Sequence, residues 1–193
     1  MILLLWGILI AHYHPTRFAA MDDHPNVVVN LTCYSEGDLI ALAIKSIAEQ
    51  SYPLDKITVL VTVDGGSKHN APTVASGYKM QALYKNLNII VIDKDDRYGR
   101  VHSNNLGLQY CKDNGIPYML ILDGDTSISA GSLLGFIQIM EHDKGLAGCS
   151  GSIKVRNLNS ITTKLTYIEY ALGIVLSRFG LSKLGYVNTL SGA

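Results

Sequence analysis

Residues 27–63 read VVVNLTCYSEGDLIALAIKSIAEQSYPLDKITVLVTV, two short β-branched apolar runs with a helical pattern between them. Val27 to Leu31 and Ile57 to Val63 have the length and composition of buried strands. Between them Leu39, Ile40, Ala43, Ile44, Ile47 and Ala48 recur at helical spacing, which predicts a helix over Asp38 to Gln50. Ser35 followed by Asp38 resembles a capping box that would start it. Outward from this unit, Leu87 to Ile92 and Tyr118 to Leu122 continue the series. The starts lie about thirty residues apart, the length of a strand plus its crossover. Ser103 to Lys112 and Ser132 to His142 read as further helices. The order βαβαβαβ predicts an α/β fold, with a mostly parallel, Rossmann-like sheet flanked by helices and buried on both faces. In such sheets ligands bind beyond the carboxyl ends of the strands.

Those ends carry polar chemistry. Strand one runs into Thr32-Cys33-Tyr34-Ser35-Glu36, strand two into Asp64-Gly65-Gly66-Ser67, and strand four into Asp123-Gly124-Asp125-Thr126. Gly99-Arg100, Asn105 and Gly107 head a helix before strand four. Glycines let the backbone approach a ligand closely, and paired carboxylates invite a hard divalent cation. A nucleoside diphosphate has a base, a ribose and a charged diphosphate, and these loops offer groups for each. Taken singly, every piece has a plain alternative: Asp-Gly-Asp occurs in ordinary turns, Tyr34 fits a half-buried aromatic, and Arg100 fits a solvated charge. Their recurrence at successive strand ends is what points to a site.

Composition narrows the function classes. Sixteen Lys and Arg balance sixteen Asp and Glu, so the chain lacks the basic footprint of a nucleic-acid binder. Cys33, Cys111 and Cys149 are too few and scattered for a disulfide framework, which suits a reducing, cytosol-facing setting. The six histidines show no metal-ligand spacing on one helix face, and there is no dinucleotide or P-loop fingerprint.

Together the motifs resemble the nucleotide-binding half of an inverting glycosyltransferase of family 2, with the GT-A fold. VVVNLTCYSEGDLIALAIKSIAEQSYP is similar to the family's opening strand, its Tyr-Asn-Glu turn and the helix ending in Gln-x-Tyr-Pro, with Ser35 in the Asn place. VTVDGGS resembles the Asp-Asp-Gly-Ser turn, with Gly65 as the variant of hyaluronan and chitin synthase-like processive members. GRVHSNNLGL resembles Gly-Lys-x-x-Ala-Leu-Asn-x-Gly-Leu, with Arg100 as the Lys, and LILDGDT resembles the Asp-x-Asp metal motif. GCSGSIKVRN and YIEYALG through LGYVNTLSGA resemble the stretch leading to the acceptor site. The likeness runs from Val27 to Ala193 and implies one GT-A catalytic domain there.

The resemblance implies that Thr32, Tyr34 and Asp64 surround uracil and ribose, with Glu36 at the border of that pocket. Arg100 would approach the diphosphate. Asp123 would face ribose and metal, and Asp125 would be the principal ligand for Mg²⁺ or Mn²⁺. The implied chemistry is transfer from a UDP-sugar donor to a carbohydrate acceptor, with inversion. The family's acceptor base lies soon after its Ser-Gly-Ala segment, so it is expected beyond Ala193; Glu141, Asp143 and Glu169 read as solvated or structural. The chain therefore reads as an N-terminal piece that binds UDP and transfers little by itself.

Two other readings stand beside this one. Asp123-Gly-Asp125-Thr126 nearly matches the signature of haloacid dehalogenase-like phosphatases, with Asp123 as nucleophile, but their downstream acidic pair has no counterpart. A nucleotide-binding domain without catalysis would keep the same strand ends.

Residues 1–16 carry no charge, and MILLLWGILI is apolar almost throughout. As a helix the segment covers roughly 24 Å against a hydrocarbon core of ~30 Å. It reads as the remnant of a membrane anchor, with a signal-peptide core or a buried first helix as alternatives. The resemblance adds a membrane location with the catalytic domain facing the cytoplasm. Apolar residues also recur at helical spacing from Ile161 to Phe179, as in an amphipathic core helix or one lying on a membrane surface.

Overall fold

The structure, a computed structural model, describes Met21 and residues 23–173. The apolar segment 1–16 and the stretch 184–193 lie outside the described residues. Strands β1 (Val27–Cys33), β2 (Ile57–Val63), β3 (Asn88–Asp93) and β4 (Tyr118–Asp123) form one parallel sheet in the order β3-β2-β1-β4. The two central strands are the valine-rich ones, because a parallel strand covered on both faces needs apolar residues at every position. Helices α1 (Ile40–Ala48), α2 (Gly66–Leu83), α3 (Gly99–Asp113) and α4 (Ser132–His142) follow the strands in turn.

Alternation along the strands divides the core. Val27, Val29 and Leu31 of β1 and Val59 and Val61 of β2 pack with Ile40, Ile44 and Ile47 of α1, Val74 of α2 and Leu133 and Ile137 of α4. On the other face Val28 and Leu60 meet Cys111 of α3, with Met119 and Ile90 against them. That face also holds a fully buried polar residue, Asn30. Its Nδ2 donates to the Ser103 carbonyl (3.3 Å) and Asn104 Oδ1 (3.2 Å), and its Oδ1 accepts from Thr62 (3.2 Å). The amide is thus satisfied on both ends, as burial requires. At Gly107 a Cβ would lie 2.9 Å from Asn30 Cγ and Met119 Sδ, so glycine sets how closely α3 packs on the sheet.

Three elements differ from the sequence expectation. The capping box at Ser35 does not form: a 3-10 turn, Gly37–Leu39, leads into α1, and the Gly37 N–H donates to Thr73 Oγ1 (2.9 Å). Helix α2 carries no apolar period, because its buried positions include Thr73, Ser76 and Gly77. It kinks at Asn70 (φ −137°, ψ 43°), so that Pro72 falls in the first turn of the longer segment, where its missing N–H is harmless. Helix α3 starts at Gly99 rather than Ser103, for a reason that belongs to the site.

The chain divides into two compact units, and the sheet with its four helices lies in the one that includes Ala20–Lys144. The described part of the other, from Gly145, contains α5 (Ile161–Ala171). Ser160 caps α5: its hydroxyl accepts the Thr163 N–H (3.1 Å), and Thr163 Oγ1 accepts the Ser160 N–H (3.1 Å). No described residue of α5 is buried, and Ile161, Leu165 and Ile168 are exposed. Among the described residues no helix is long and apolar enough to cross a membrane.

Candidate functional site

The order β3-β2-β1-β4 reverses direction beside β1, and the crevice beyond β1 and β4 is the topological switch point. The register pairs Thr32 with Asp123 across those strands. Thr32 Oγ1 accordingly donates to Asp123 Oδ1 (3.4 Å). Arg100, the second residue of α3, brings Nη2 to 2.5 Å from the same oxygen. Burial foremost, with the negative charge of Asp125, raises the Asp123 carboxyl above its usual acidity range against the pull of Arg100 and Thr32.

Asp123 and Asp125 flank a tight turn. Gly124 donates its N–H to the Thr32 carbonyl (3.1 Å), and the Thr126 N–H returns to the Asp123 carbonyl (3.0 Å). A Cβ on Gly124 would lie 2.8 Å from Cys33 Sγ and 3.3 Å from Glu36 Cδ. The middle position of the motif must therefore be small. Cys33 is buried; desolvation first, then Glu36, Asp123 and Asp125, push its thiol far up, so it is no nucleophile. Glu36 accepts the Tyr34 N–H (2.6 Å), which fixes the turn after β1.

Asp64 lies deeper. Lys94 Nζ stands 2.5 Å from its Oδ1, the Tyr98 N–H donates to it (2.9 Å), and the Gly99 N–H reaches both oxygens (3.1 Å each). Burial alone would raise this carboxyl; the Lys94 hydrogen bond and the two amides outweigh it and hold it below the usual range. Next to it the turn needs glycine: Gly66 has φ +44°, and a Cβ there would sit 2.0 Å from Asp93 Oδ1. The same Asp93 oxygen accepts the Ser67 N–H (2.7 Å), tying the turn to the end of β3.

Tyr34 is half-exposed, with the Arg97 guanidinium 4.1 Å above its ring centroid. Arg97 Nη1 also donates to the Tyr34 hydroxyl (3.2 Å), and its Nε is 3.9 Å from Asp64 Oδ2. The sheet edge thus brings Thr32, Arg100 and Asp123 into direct contact, sets Glu36 beside Gly124, and links Tyr34 to Asp64 through Arg97. Asp125 accepts from Thr126 Oγ1 (3.4 Å) and acts on Asp123 through its charge.

Lys94, Arg97 and Tyr98 join the site without belonging to any of the motifs above. The signal was available: Asp93-Lys94-Asp95-Asp96-Arg97 is a charged run at the carboxyl end of β3, the same rim as the other motifs. Gln50, of the Gln-x-Tyr-Pro stretch, also gains a role. Buried, it donates to the Ser129 carbonyl (2.9 Å) and accepts the Leu133 N–H (3.0 Å), holding the segment that follows Asp125.

Among the described residues no group of three or more His, Cys, Asp or Glu side chains could hold a metal ion. Asp123 and Asp125 are two. That suits a hard cation of the Mg²⁺ or Mn²⁺ kind, which takes one or two carboxylates and completes its shell with phosphate oxygens and water.

The profile of Glycosyl transferase family 2 matches residues 28–184. The poly-beta-1,6-N-acetyl-D-glucosamine synthase of Staphylococcus aureus is 28% identical over 172 residues, 89% of this chain and 39% of that protein. Its namesake from Staphylococcus epidermidis is 27% identical over 162 residues, 84% of this chain and 37% of that one. The chain thus spans about two-fifths of the length of the curated relatives it matches. Among solved structures, the mannosyltransferase PcManGT from Pyrobaculum calidifontis, in complex with GDP-Man and Mn²⁺, has a TM-score of 0.62 at 19% identity, over 95% of this chain and 54% of that one. S. aureus TarS 1-349 has a TM-score of 0.51 at 18% identity, over 70% of this chain and 37% of that one. These two share the GT-A-like fold. The phosphatase alternative for Asp123 falls away with the family match, and the chain belongs to glycosyl transferase family 2.

Proposed function

We propose that this chain forms the donor site of an inverting glycosyltransferase that moves a sugar from a UDP-sugar to a growing polysaccharide or another carbohydrate acceptor, assisted by Mg²⁺ or Mn²⁺. The observation that carries the proposal is the meeting of Arg100, Thr32 and Asp123 beside Asp125 at the switch point of the sheet. It unites a guanidinium suited to phosphate with two carboxylates suited to a cation.

Thr32, Tyr34 and Asp64 take the uracil and ribose, with Glu36 at their border. Arg100 turns from Asp123 toward the diphosphate and stabilises the charge that grows there as the sugar departs. Asp125 and Asp123 would hold the cation, which when bound neutralises part of that same charge. The acceptor hydroxyl must lose its proton to a carboxylate. Glu36, Asp64, Asp123 and Asp125 are engaged by the donor and the turns around it, so none of them is assigned as that base. The relatives named for N-acetylglucosamine polymers make UDP-N-acetylglucosamine the first donor to try. The same reading sets the domain at a membrane, facing the cytoplasm; the uncharged segment 1–16 supports the membrane part of it.

Calorimetric titration with UDP, with and without Mn²⁺, tests the proposal. Wild type is expected to bind UDP in a Mn²⁺-dependent way, and Asp125→Ala to abolish that dependence. Absence of UDP binding in the wild type would overturn the donor assignment; equal binding with and without Mn²⁺ would overturn the cation's part.

A further inference from the structure

We propose that Lys94 is a positioning residue for the donor diphosphate, acting through Asp64 and the first turn of α3 on Arg100; the inference rests on the donor reading above.

Helix α3 opens with no side-chain cap from its own N-cap residue, Tyr98. The N–H groups of Tyr98 and Gly99 turn instead to Asp64, a carboxylate carried by another strand end. A helix start stripped of its donors' partners is unfavourable, and a carboxylate there also complements the helix dipole. Asp64 itself is buried, and a buried carboxylate persists as an anion only when paired. Lys94 is the pairing group. It follows directly on β3, its side chain is 3% exposed, and its Nζ lies 2.5 Å from Asp64 and 3.2 Å from Ser103 Oγ. Ser103 Oγ in turn donates to the Gly99 carbonyl (3.4 Å). One ammonium therefore ties the ends of β2 and β3 to the first turn of α3.

Arg100 is the residue after Gly99, and in this arrangement its guanidinium reaches Asp123. Whatever moves the Gly99 amide moves the root of the Arg100 side chain. Lys94 is too buried to touch a donor, so it acts through its partners, Asp64 and the turn that Asp64 holds, and only the part that passes through the turn depends on Arg100. A misplacement of about 1 Å in a positioning element can cost on the order of a hundredfold in rate, and binding responds in the same sense.

A double-mutant cycle separates this role from general support of the fold. UDP affinity in the presence of Mn²⁺ is measured by calorimetry for wild type, Lys94→Gln, Arg100→Ala and the double variant. Lys94→Gln is expected to weaken UDP binding about tenfold in the wild type and less than about twofold when Arg100 is already absent. Equal losses in both backgrounds would overturn the inference while leaving the donor reading intact; failure of the wild type to bind UDP would instead overturn that reading. Because Lys94→Gln leaves the buried Asp64 carboxylate without its ammonium partner, circular dichroism checks that it folds. Ser103→Ala, which removes one partner of Lys94 and leaves Asp64 paired, decides the matter if it does not. It should weaken binding about twofold to threefold in the wild type and not in Arg100→Ala; no effect in either would also overturn the inference.

Discussion

Asp64 and Asp123 stand at the ends of the two strands that flank β1, yet their surroundings shift their acidities in opposite directions. For Asp64, burial is outweighed by Lys94 and the amides of Tyr98 and Gly99, so the folded state prefers the anion more than the unfolded chain does. Its contribution is present above the unfolded value of about 3.9 and is lost as pH falls through the lower folded value. Asp64→Asn should therefore lose about 3 kcal/mol at pH 7, largely from leaving Lys94 unpaired. In urea unfolding the gap between wild type and variant should narrow below about pH 4. A gap independent of pH would contradict the assignment. Asp123 behaves in the reverse sense: burial and Asp125 raise it, so it takes up a proton before an ordinary aspartate does. Under the proposed function protonation would remove a cation ligand, and Mn²⁺-dependent UDP affinity should fall as pH drops through that raised value. Arg100→Ala removes an opposing cation and should move the loss to higher pH, measurable in the same titration.

Helix starts are where the elements depend on one another. Neither α3 nor α4 is capped by its own N-cap residue; Asp64 receives the first amides of one, and Gln50 accepts the Leu133 N–H of the other. Gln50 also donates to the carbonyls of Ser46 and Ser129, so one buried amide links α1 to the segment between Asp125 and α4. Gln50→Ala leaves these groups unsatisfied and should cost about 2 kcal/mol in chemical denaturation, with weaker Mn²⁺-dependent UDP binding as the Asp125 turn loosens. These distant caps also explain which boundaries could be read. Helix α1 announces itself through Ile40, Ala43, Ile44 and Ile47, all buried on one face. Helix α3 was expected from Ser103 because nothing near Gly99 in the chain caps a helix; the cap comes from a residue 35 positions earlier. Helix α2 was unreadable because Pro72 and a buried face of small polar residues hide its period.

At the scale of the whole molecule, the strand order decides which motifs meet. With β2 and β4 on either side of β1, the turns after β1 and β4 share one crevice, and Thr32 lies in register with Asp123. The membrane is the remaining question at this scale. The full chain is expected to co-sediment with phospholipid vesicles, and a chain beginning at Arg17 is not. Retention of binding by the shorter chain would assign the contact to the exposed apolar residues of α5, Ile161, Leu165 and Ile168.

The sequence by itself determined the parallel α/β sheet, the rim where the candidate site lies and the residue types placed there, because strand periodicity and strand-end turns are local properties of the chain. It marked Thr32, Arg100 and Asp123 as members of one site. Only the tertiary structure decided that Arg100 meets Asp123, that Asp64 is a buried anchor for α3, and that Lys94 and Arg97 belong to the same rim. Those facts depend on β2, β3 and α3 converging from distant parts of the chain, where burial turns exposed charges into obligatory pairs.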